Sequence, residues 1–540
     1  MAIKYKLFLK NLKNICTKPL YQIIGIFLLA LLLRTVNLGN YPLGLHVDEI
    51  KVGWNAKSIY HTLKDDQGNF LPIFYNTFGD YRQTGIFYFS IPAFFIFGNS
   101  IFAIRFTSAF FGALTVFAIY FLVNILTKHK RNVGLWAGLI LAISPWHIEV
   151  SRATSEVAIS CLFILLAIYF YIKYIKELKI KYLYLTSLAV IISYFLYHSA
   201  RILLPIYLLL TFLYGLIKYK KALITPVLIS ILLTLVFSLN KNSLERFSQV
   251  SIFKSENVVY ELERSNESKF IVYSRNLIKE YGKYLSTDFL IGESARPYRY
   301  LTVGVGLLNY IDLILLIYGI YLAFNKKDFR LVILFLLISP LPAILTIEDS
   351  PNLHRAFYMI PFVVMIEGYA LSQMIHKKTI ITMFAFSLMY FVYAYFTKSN
   401  LHIPYQKNLY IDSPTYRNIG NVELSKKLES YKKQYDLIYV TNFPDNLYSW
   451  YAFLNNKNPK EFNNNSFTVN SNERKYENII FTDKRCPSDY AFKENSKNIL
   501  VIDAEGCGIE SKIKDGLPIE IVEKITRPDS SNVYYLLKSI

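Results

Sequence analysis

The chain has 540 residues, of which 53% are hydrophobic and 16% aromatic, a composition too apolar for an ordinary soluble protein. Its net charge of +20 could indicate a nucleic-acid partner. However, the basic residues cluster in short loops between long apolar runs, as the positive-inside rule expects of a membrane protein. Composition and charge therefore exclude a soluble protein, disfavour a nucleic-acid partner and predict a polytopic α-helical membrane protein.

About eleven apolar runs are long enough to be read as membrane spans. In chain order they cover about 20–36, 101–126, 133–148, 154–175, 182–198, 201–217, 222–240, 303–324, 331–347, 356–375 and 379–396. With the N-terminus in the cytoplasm, every predicted inner loop is basic, as the positive-inside rule requires. No small-residue cleavage site follows the first run, which is therefore predicted to be an anchor.

The shorter apolar piece 85–98 contains Pro92 and is predicted to be re-entrant or interfacial. If it spanned the bilayer, every later loop would change sides and the basic loops would lie outside, against the positive-inside rule. This argument favours a membrane domain over 1–397, with two long outer loops at 37–84 and 241–302.

The region 398–540 differs sharply in composition, with many Asn, Lys, Ser and Asp residues. Short apolar runs recur in it, separated by helix-like polar segments: 436–441, 478–482, 498–503, 519–525 and 532–538. That alternation predicts a small α/β domain, which an odd number of spans places outside the cytoplasm. The predicted location is the plasma membrane.

Cys486 and Cys507 lie in this C-terminal region and flank the strand-like run 498–503. We predict that they form a disulfide, because thiols oxidise outside the cytoplasm. The alternative is two unpaired thiols in a cytoplasmic tail, which would follow from an even number of spans.

An adjacent acidic pair, Asp48 and Glu49, follows the first span, where the bilayer meets water. A carboxylate at this depth can act as a general base beside a substrate whose lipid tail stays in the bilayer. Alternatively, the pair begins an interfacial helix whose apolar side includes Ile50 and Trp54. We favour a functional role for the pair.

Other charged side chains near the membrane gather at the predicted outer face, where their cost makes them informative. They are Arg82, His147, Glu149, Arg152, Glu156, His198, Arg201, His354 and Arg355. Taken singly, many of them have a structural explanation. Arg152 or Arg201 could be an interfacial arginine, His147 could belong to an aromatic belt, and Glu156 could begin a helix. Together, arginines that suit phosphate and a carboxylate base predict sugar transfer from a polyprenyl-phosphate donor.

Five segments carry a resemblance to the GT-C glycosyltransferases, especially the protein O-mannosyltransferase and aminoarabinose-transferase group, family 39. They read Y-P-L-G-L-H-V-D-E at 41–49, D-Y-R-Q-T-G-I-F-Y-F at 80–89, I-F-G-N-S-I-F-A-I-R-F-T-S-A-F-F-G-A-L-T-V at 96–116, S-P-W-H-I-E-V-S-R at 144–152 and Y-H-S-A-R-I-L-L-P at 197–205. The resemblance covers roughly 20–365, and the order of the motifs makes it more specific than the short D-E motif alone.

This resemblance implies that Asp48 is the catalytic base and that Glu49 is a companion that helps to position the acceptor. Arg82 occupies the place of a basic residue that contacts the donor phosphate. Many relatives have Arg/Lys-Pro-Pro here, whereas this chain has Arg82-Gln83-Thr84.

Further phosphate contacts are predicted for the other outer-face arginines, Arg152, Arg201 and Arg355. The acidic and imidazole groups near them are assigned to the acceptor or to the support of the catalytic groups. These are His46, His147, Glu156, His198 and His354.

The chemistry that follows is a single displacement with inversion, in which polyprenyl phosphate departs and no glycosyl-enzyme forms. Oligosaccharide-transferring relatives use a divalent cation, for which His46, Asp48 and Glu49 would make an incomplete ligand set. We therefore predict transfer without a metal or other cofactor. The predicted partners are a polyprenyl-phosphate-linked sugar and a protein, lipid or glycan acceptor, with no nucleic acid.

Two other functions remain open from the sequence. A lipid or solute transporter, or flippase, would use ionisable residues within spans, and Asp312 and Glu367 are such residues. A membrane-anchored binding protein would work through 398–540. The second alternative leaves the outer-face charges of the membrane domain unexplained.

Overall fold

The computed structural model describes residues 18–77, 80–128, 132–238, 249–397, 418–442, 446–470, 473–493, 498–527 and 530–540. The chain divides into two compact units. The first, here the helical unit, comprises Met1–Val36, Ile73–Ile86 and Ser108–Tyr395. The second, here the α/β unit, comprises Asn37–Pro72, Phe87–Thr107 and Phe396–Ile540.

Helices dominate the described residues up to 397. In chain order they are α1 Pro19–Thr35, α2 Val47–Thr62, α3 Gly85–Phe97, α4 Ile101–Thr127, α5 Val133–Ile143, α6 Pro145–Arg152, α7 Glu156–Glu177, α8 Lys181–Leu196, α9 Ala200–Tyr219, α10 Thr225–Ser238, α11 Glu256–Arg264, α12 Lys269–Leu285, α13 Thr287–Leu290, α14 Tyr310–Phe324, α15 Lys327–Ile338, α16 Leu341–Ile344, α17 Ile360–Gln373 and α18 Lys377–Thr397. Each predicted span contains one of these helices or a consecutive pair of them.

Four of the described helices, α4, α7, α9 and α18, are long and apolar enough to cross a membrane. The pair α5 and α6, bent by 56°, counts as a fifth if it forms one span. The predicted class of helical membrane protein is confirmed, while the number of eleven spans stays a prediction. Helix α3 has 13 residues, about 20 Å at 1.5 Å per residue, which is shorter than the hydrocarbon core.

Glycines bring helices of the helical unit into close contact. A Cβ built on Gly368 in α17 would lie 2.5 Å from the backbone nitrogen of Ala137 in α5. A Cβ on Gly319 in α14 would lie 2.6 Å from the carbonyl oxygen of Ile366. Small residues at such crossings allow the backbones of membrane helices to approach each other.

The two acids behind the transporter alternative lie in these helices. Asp312 Oδ2 accepts hydrogen bonds from Asn309 N at 2.8 Å and Asn309 Nδ2 at 2.9 Å, so it closes the first turn of α14. Glu367 is fully buried in α17. This capping role accounts for a buried acid at position 312, so the presence of Asp312 does not require an ion pathway.

The C-terminal region forms one seven-stranded sheet together with short helices, as predicted. The strands are β3 Leu437–Thr441, β4 Ser466–Asn470, β5 Glu473–Tyr476, β6 Ile479–Thr482, β7 Ile499–Ala504, β8 Ile519–Thr526 and β9 Asn532–Ser539, in the order β4-β5-β6-β3-β7-β9-β8. Strand β3 pairs parallel with β6 and β7, and the other pairings are antiparallel. The helices are α19 Asn421–Tyr431, α20 Leu447–Leu454, α21 Pro459–Asn465 and α22 Ile509–Lys514.

Two further strands, β1 Phe74–Thr77 and β2 Asp80–Gln83, form an antiparallel hairpin in the helical unit. Along the C-terminal region, all five predicted apolar runs become strands, namely β3, β6, β7, β8 and β9. Strands β4 and β5 have no comparable apolar run, because β5 has the sequence E-R-K-Y.

One face of the sheet packs against α19, α20 and α21. The hydrophobic core on this face also includes residues from 45–54. Leu45, Ile50 and Trp54 are fully buried in the same cluster as Trp450 and Leu500. The predicted boundary at 398 separates α2 from the sheet, whereas the compact units place both in the α/β unit. The reason is that Ile50 and Trp54 of α2 are buried in the core of that unit. As functional domains, 1–397 and 398–540 stay a prediction.

The opposite face of the sheet carries the predicted disulfide. Cys486 and Cys507 are bonded, with their Cα atoms 5.6 Å apart. Among the described residues, Cys161 is the free cysteine and is buried.

Candidate functional site

The D-E motif, Asp48 and Glu49, lies in the first turn of helix α2. The pair therefore begins a helix, as one of the two interpretations of the sequence predicted. His46 is the N-cap, and its Nδ1 accepts a hydrogen bond from Asp48 N at 3.1 Å. In return, His46 N donates to Glu49 Oε2 at 3.0 Å, which completes a capping box. A helix N-terminus stabilises a carboxylate in this turn. His46, predicted to serve the acceptor or the catalytic groups, therefore has a capping role.

The two adjacent carboxylates differ in their surroundings. The side chain of Glu49 is 3% exposed, whereas that of Asp48 is 29% exposed. Arg105 Nε donates to Glu49 Oε1 at 2.8 Å, and Arg105 Nη2 donates to Glu49 Oε2 at 3.1 Å. Glu49 thus belongs to a buried ion pair, and Asp48 is the carboxylate that a substrate can reach.

Arg105 on α4 ties this motif to the segment before it. It is fully buried, and its Nη1 donates to the carbonyl oxygens of Leu38 at 3.2 Å and Pro42 at 2.8 Å. Its Nη2 also donates to the carbonyl of Gly44 at 2.6 Å. All five N–H groups of a guanidinium are matched in this way.

Arg105 was missed as a functional residue, although it lies within the segment 96–116 that carries the family resemblance. The signal was available, since an arginine inside an apolar run is costly without a partner.

In the helical unit, three of the predicted outer-face segments meet at His354. The Nε2 atom of His354 is 2.9 Å from Ser155 Oγ, and its Nδ1 is 3.3 Å from the hydroxyl of Tyr197. Its ring stacks on Tyr300, with centroids 5.2 Å apart. Glu156 follows Ser155 at the start of α7. The sequence predicted these segments but not the contribution of Tyr300.

Arg201, at the start of α9, is a buried arginine beside aromatic rings. Its guanidinium carbon lies 4.9 Å from the ring centre of Phe237 and 6.0 Å from that of Phe74. Such cation–π contacts stabilise a guanidinium charge where water is scarce. Arg82 lies in the same unit, half-buried on β2 and opposite Tyr75 in the hairpin.

Arg152 is engaged by the protein itself. Its Nη1 and Nη2 donate to the carbonyls of Leu33 at 2.9 Å and Val36 at 2.8 Å, at the end of α1. Its Nε donates to the Tyr395 hydroxyl at 3.0 Å. A cation here neutralises the negative end of the helix dipole. This geometry gives Arg152 a capping role and lends no support to its predicted contact with donor phosphate.

Arg355 is likewise held within its own loop. Its Nη1 donates to Thr346 Oγ1 at 2.7 Å, and its Nη2 forms an ion pair with Glu348. The predicted phosphate contact of Arg355 stays a prediction, and the geometry favours a role in ordering the loop between α16 and α17.

The two remaining histidines differ in exposure. His147 is fully buried, and its Nδ1 is 3.0 Å from Arg34 Nη2 and 3.1 Å from Ser151 Oγ. Arg34 also donates to the carbonyls of Ala30 and Ala142, so this cluster ties α1 to the end of α5. His198 is exposed. His147 is therefore an interior residue, and His198 is the one accessible to a ligand.

Further along α2, Lys57 is almost completely buried and donates to Asn456 Oδ1 at 2.7 Å. Burial lowers the pKa of Lys57 to about 8. Burial and the nearby Lys57 charge also lower the pKa of His61. Lys57 therefore remains mostly charged at neutral pH but loses its proton at a lower pH than an exposed lysine does.

Among the described residues, one set of His, Cys, Asp or Glu side chains has the spacing of a metal site, namely Cys486, Asp503 and Cys507. The two cysteines of that set form the disulfide. The prediction of metal-independent activity is not tested by this arrangement.

Comparison with known proteins adds evidence at the level of family and fold. Residues 85–242 match the family of dolichyl-phosphate-mannose-protein mannosyltransferases. Two crystal structures of ArnT from Cupriavidus metallidurans, one bound to undecaprenyl phosphate and one in the apo state, have similar folds, with TM-scores of 0.50 and 0.51. Each is 10% identical and covers 95% of this chain and 97% of its own. No curated protein matches the sequence significantly.

These findings support a GT-C glycosyltransferase. The predicted GT-C resemblance and enzyme class are confirmed, and the fold is that of ArnT. Assignment of this glycosyltransferase to family 39 stays a prediction.

Proposed function

We propose that this glycosyltransferase moves a sugar from a polyprenyl-phosphate donor to an acceptor outside the cytoplasm. The observation that carries the proposal is the D-E turn, in which Arg105 fixes Glu49 and Asp48 stays accessible beside it. The donor class is supported by the undecaprenyl phosphate bound to ArnT and by the dolichyl-phosphate-mannose named for the matching family. Both contain a polyisoprenyl phosphate, free in the first case and carrying mannose in the second.

In the proposed reaction, Asp48 accepts the proton of the acceptor hydroxyl as its oxygen attacks the anomeric carbon. The bond from that carbon to the phosphate oxygen breaks, and polyprenyl phosphate leaves with the electron pair. One displacement inverts the anomeric centre, and no glycosyl-enzyme is formed. Phosphate is a good leaving group, so the reaction needs no separate general acid.

We propose Arg201 and Arg82 as the arginines that bind the donor phosphate. The aromatic surroundings of Arg201 support its choice, since its guanidinium lies against the rings of Phe237 and Phe74, whereas that of Arg152 caps the end of α1. Arginine suits phosphate because its planar fork donates two parallel hydrogen bonds.

We also propose that no metal takes part. His46 Nδ1 is used in capping and both Glu49 oxygens accept hydrogen bonds from protein groups, so these two candidate ligands of the motif are already engaged by the protein. Unchanged turnover in excess EDTA is expected, and loss that only added divalent cation restores would contradict this part of the proposal.

The proposed orientation has the N-terminus in the cytoplasm and the C-terminal region outside. The Cys486–Cys507 disulfide supports it, because such bonds persist in oxidising compartments.

The decisive experiment offers the purified protein polyprenyl-phosphate mannose and polyprenyl-phosphate aminoarabinose, each with a labelled sugar, together with host membranes as acceptor. Label should move from one donor into the acceptor fraction. Asp48→Asn keeps the shape of the side chain and removes the base, so transfer should fall by about 10²–10⁴-fold while donor binding persists. The exposed Asp515, changed to Asn, is the matched control and should stay within about twofold. Near-normal turnover of Asp48→Asn would refute its assignment as the base.

A further inference from the structure

The start of α2 is hydrogen-bonded to the C-terminal part of the chain within the α/β unit. Val47 N donates to Asn418 Oδ1 at 3.0 Å, and Trp450 Nε1 donates to the carbonyl oxygen of Leu45 at 3.2 Å. Val47 is the first residue of α2, whose amide has no partner within its own helix. These two hydrogen bonds hold the backbone on either side of His46, immediately before Asp48.

The body of α2 is fixed by packing against the same region. A Cβ on Gly53 would lie 2.8 Å from Ile104 Cδ1 and 3.2 Å from Phe453 Cε2, so α2 packs closely against side chains of α4 and α20. Trp54 is fully buried and packs edge-on against Phe462, with ring centroids 5.5 Å apart. Close packing of this kind fixes the axis of the helix, and the two hydrogen bonds fix its first turn.

Asn418 has a backbone that suits its role. Its φ angle is +50°, in the left-handed region that Asn, Asp and Gly tolerate better than other residues. The residue is buried, and its side-chain amide oxygen accepts a hydrogen bond from the first amide of α2. The position therefore requires a residue that accepts both this conformation and a hydrogen bond.

We propose that Asn418 and Trp450 are positioning residues for the transfer reaction, and that the C-terminal α/β domain is the scaffold that aims the Asp48 carboxylate. This inference rests on the proposed function of Asp48 as the base. Neither residue touches the reacting atoms in the proposal. Both act through the backbone of 45–48, and proton transfer is sensitive to displacements of about 1 Å, which can cost about 100-fold in rate.

The test measures labelled-sugar transfer from the polyprenyl-phosphate donor that the wild-type full chain uses. Trp450→Phe keeps an aromatic ring in the core and removes the N–H donor. Asn418→Gly keeps the left-handed backbone and removes the acceptor, whereas Asn418→Asp keeps both. We expect Trp450→Phe and Asn418→Gly each to lower kcat about tenfold with donor KM within about twofold, and Asn418→Asp to recover most of the rate.

Tyr534→Phe is the matched control, because it removes another buried hydrogen bond of the same domain, from the Tyr534 hydroxyl to Asn421 Oδ1 at 2.6 Å. Its kcat should stay within about twofold of wild type. Gel filtration and tryptophan fluorescence check that each variant is folded. If Trp450→Phe does not fold, the Gly and Asp variants at position 418 decide the question.

A second readout separates positioning from general stability. In an Asp48→Asn background, residues that act through the Asp48 carboxylate should have no further effect on the residual rate. Equal additional losses in both backgrounds, or wild-type kcat in Trp450→Phe and Asn418→Gly, would overturn the inference while leaving Asp48 as the base. Near-normal turnover in Asp48→Asn alone would instead overturn the proposed function on which the inference rests.

Discussion

Arg105 in the α/β unit and Arg201 in the helical unit are both buried arginines, yet their guanidinium groups have very different neighbours. Arg105 donates to the Glu49 carboxylate and to three carbonyl oxygens at 2.6–3.2 Å. Arg201 lies beside the rings of Phe237 and Phe74. The difference shows that two buried arginines can have quite different surroundings, a carboxylate and carbonyl oxygens in one case and aromatic rings in the other.

The largest effect expected from this comparison is on stability. Arg105→Ala leaves the Glu49 carboxylate buried without its cation, which typically costs about 3–5 kcal/mol. Thermal or denaturant unfolding of the purified chain should show this loss. Replacing both partners, as Glu49→Leu with Arg105→Met, should recover part of it, because the uncompensated charge is gone while the carbonyls of Leu38, Pro42 and Gly44 still lack their donor. Wild-type stability in Arg105→Ala would show that the pair does not support the D-E turn.

Removal of the disulfide should give the next largest loss of stability. It tests whether the α/β unit is stabilised by this bond as well as by the ion pair of Glu49 and Arg105. Cys486 and Cys507 are separated by 21 residues, for which the chain-entropy estimate is about 3 kcal/mol. Reductant, or Cys486→Ser with Cys507→Ser, should lower the unfolding midpoint of the full chain. Mass spectrometry of non-reduced protein should find the bond, and free thiols at both positions would contradict it.

Donor binding compares Arg201, which lies against aromatic rings, with Arg355, which is held within its own loop. A hydrogen bond to a charged group is worth about 1.5–3 kcal/mol, so Arg201→Ala should weaken undecaprenyl phosphate binding by about 10–100-fold. Arg355→Ala should change that affinity much less, because its guanidinium already serves Thr346 and Glu348. Equal loss in both variants, measured by titration of folded protein, would remove the distinction.

The smallest effect concerns Lys57, a buried cation with an amide partner and a lowered pKa of about 8. The folded state then binds fewer protons than the unfolded state between about pH 8 and pH 10.5, so stability should rise with pH across that window. Lys57→Met should be more stable than wild type by about 1 kcal/mol at pH 7, since a buried ammonium costs more than its hydrogen bond returns.

Unfolding midpoints of both proteins, measured from pH 7 to pH 10, test this prediction. The advantage of Lys57→Met should shrink as pH rises, and a constant difference would show that Lys57 stays charged throughout.

The sequence predicted the features that depend on local pattern. Long apolar runs predicted the helices, short apolar runs predicted β3, β6, β7, β8 and β9, and the placement of Cys486 and Cys507 predicted the disulfide. The partner of Glu49 was missed because Arg105 is 56 residues away on another helix. Strand β5 was missed because E-R-K-Y has no apolar alternation. Pairing of distant polar groups is set by the fold and leaves no local periodicity.

The same limit applies to the candidate site. The sequence placed the segments of Glu156, His198 and His354 at one outer face, and in the structure His354 contacts Ser155 and Tyr197, the residues just before Glu156 and His198. It could not separate Arg152, which caps α1, from Arg201, because an arginine next to a span looks the same in either role. Only the positions of the carbonyl oxygens make that distinction.

The α/β unit is assembled from three stretches of the chain, Asn37–Pro72, Phe87–Thr107 and Phe396–Ile540. A ribosome delivers the first two stretches long before the third, because synthesis proceeds at about 5–20 residues per second. Until Asn418 and Trp450 emerge, α2 lacks both of their hydrogen bonds to its first turn. The turn that carries Asp48, the proposed base, therefore gains these two hydrogen bonds only after Trp450 has been synthesised, late in the production of the chain.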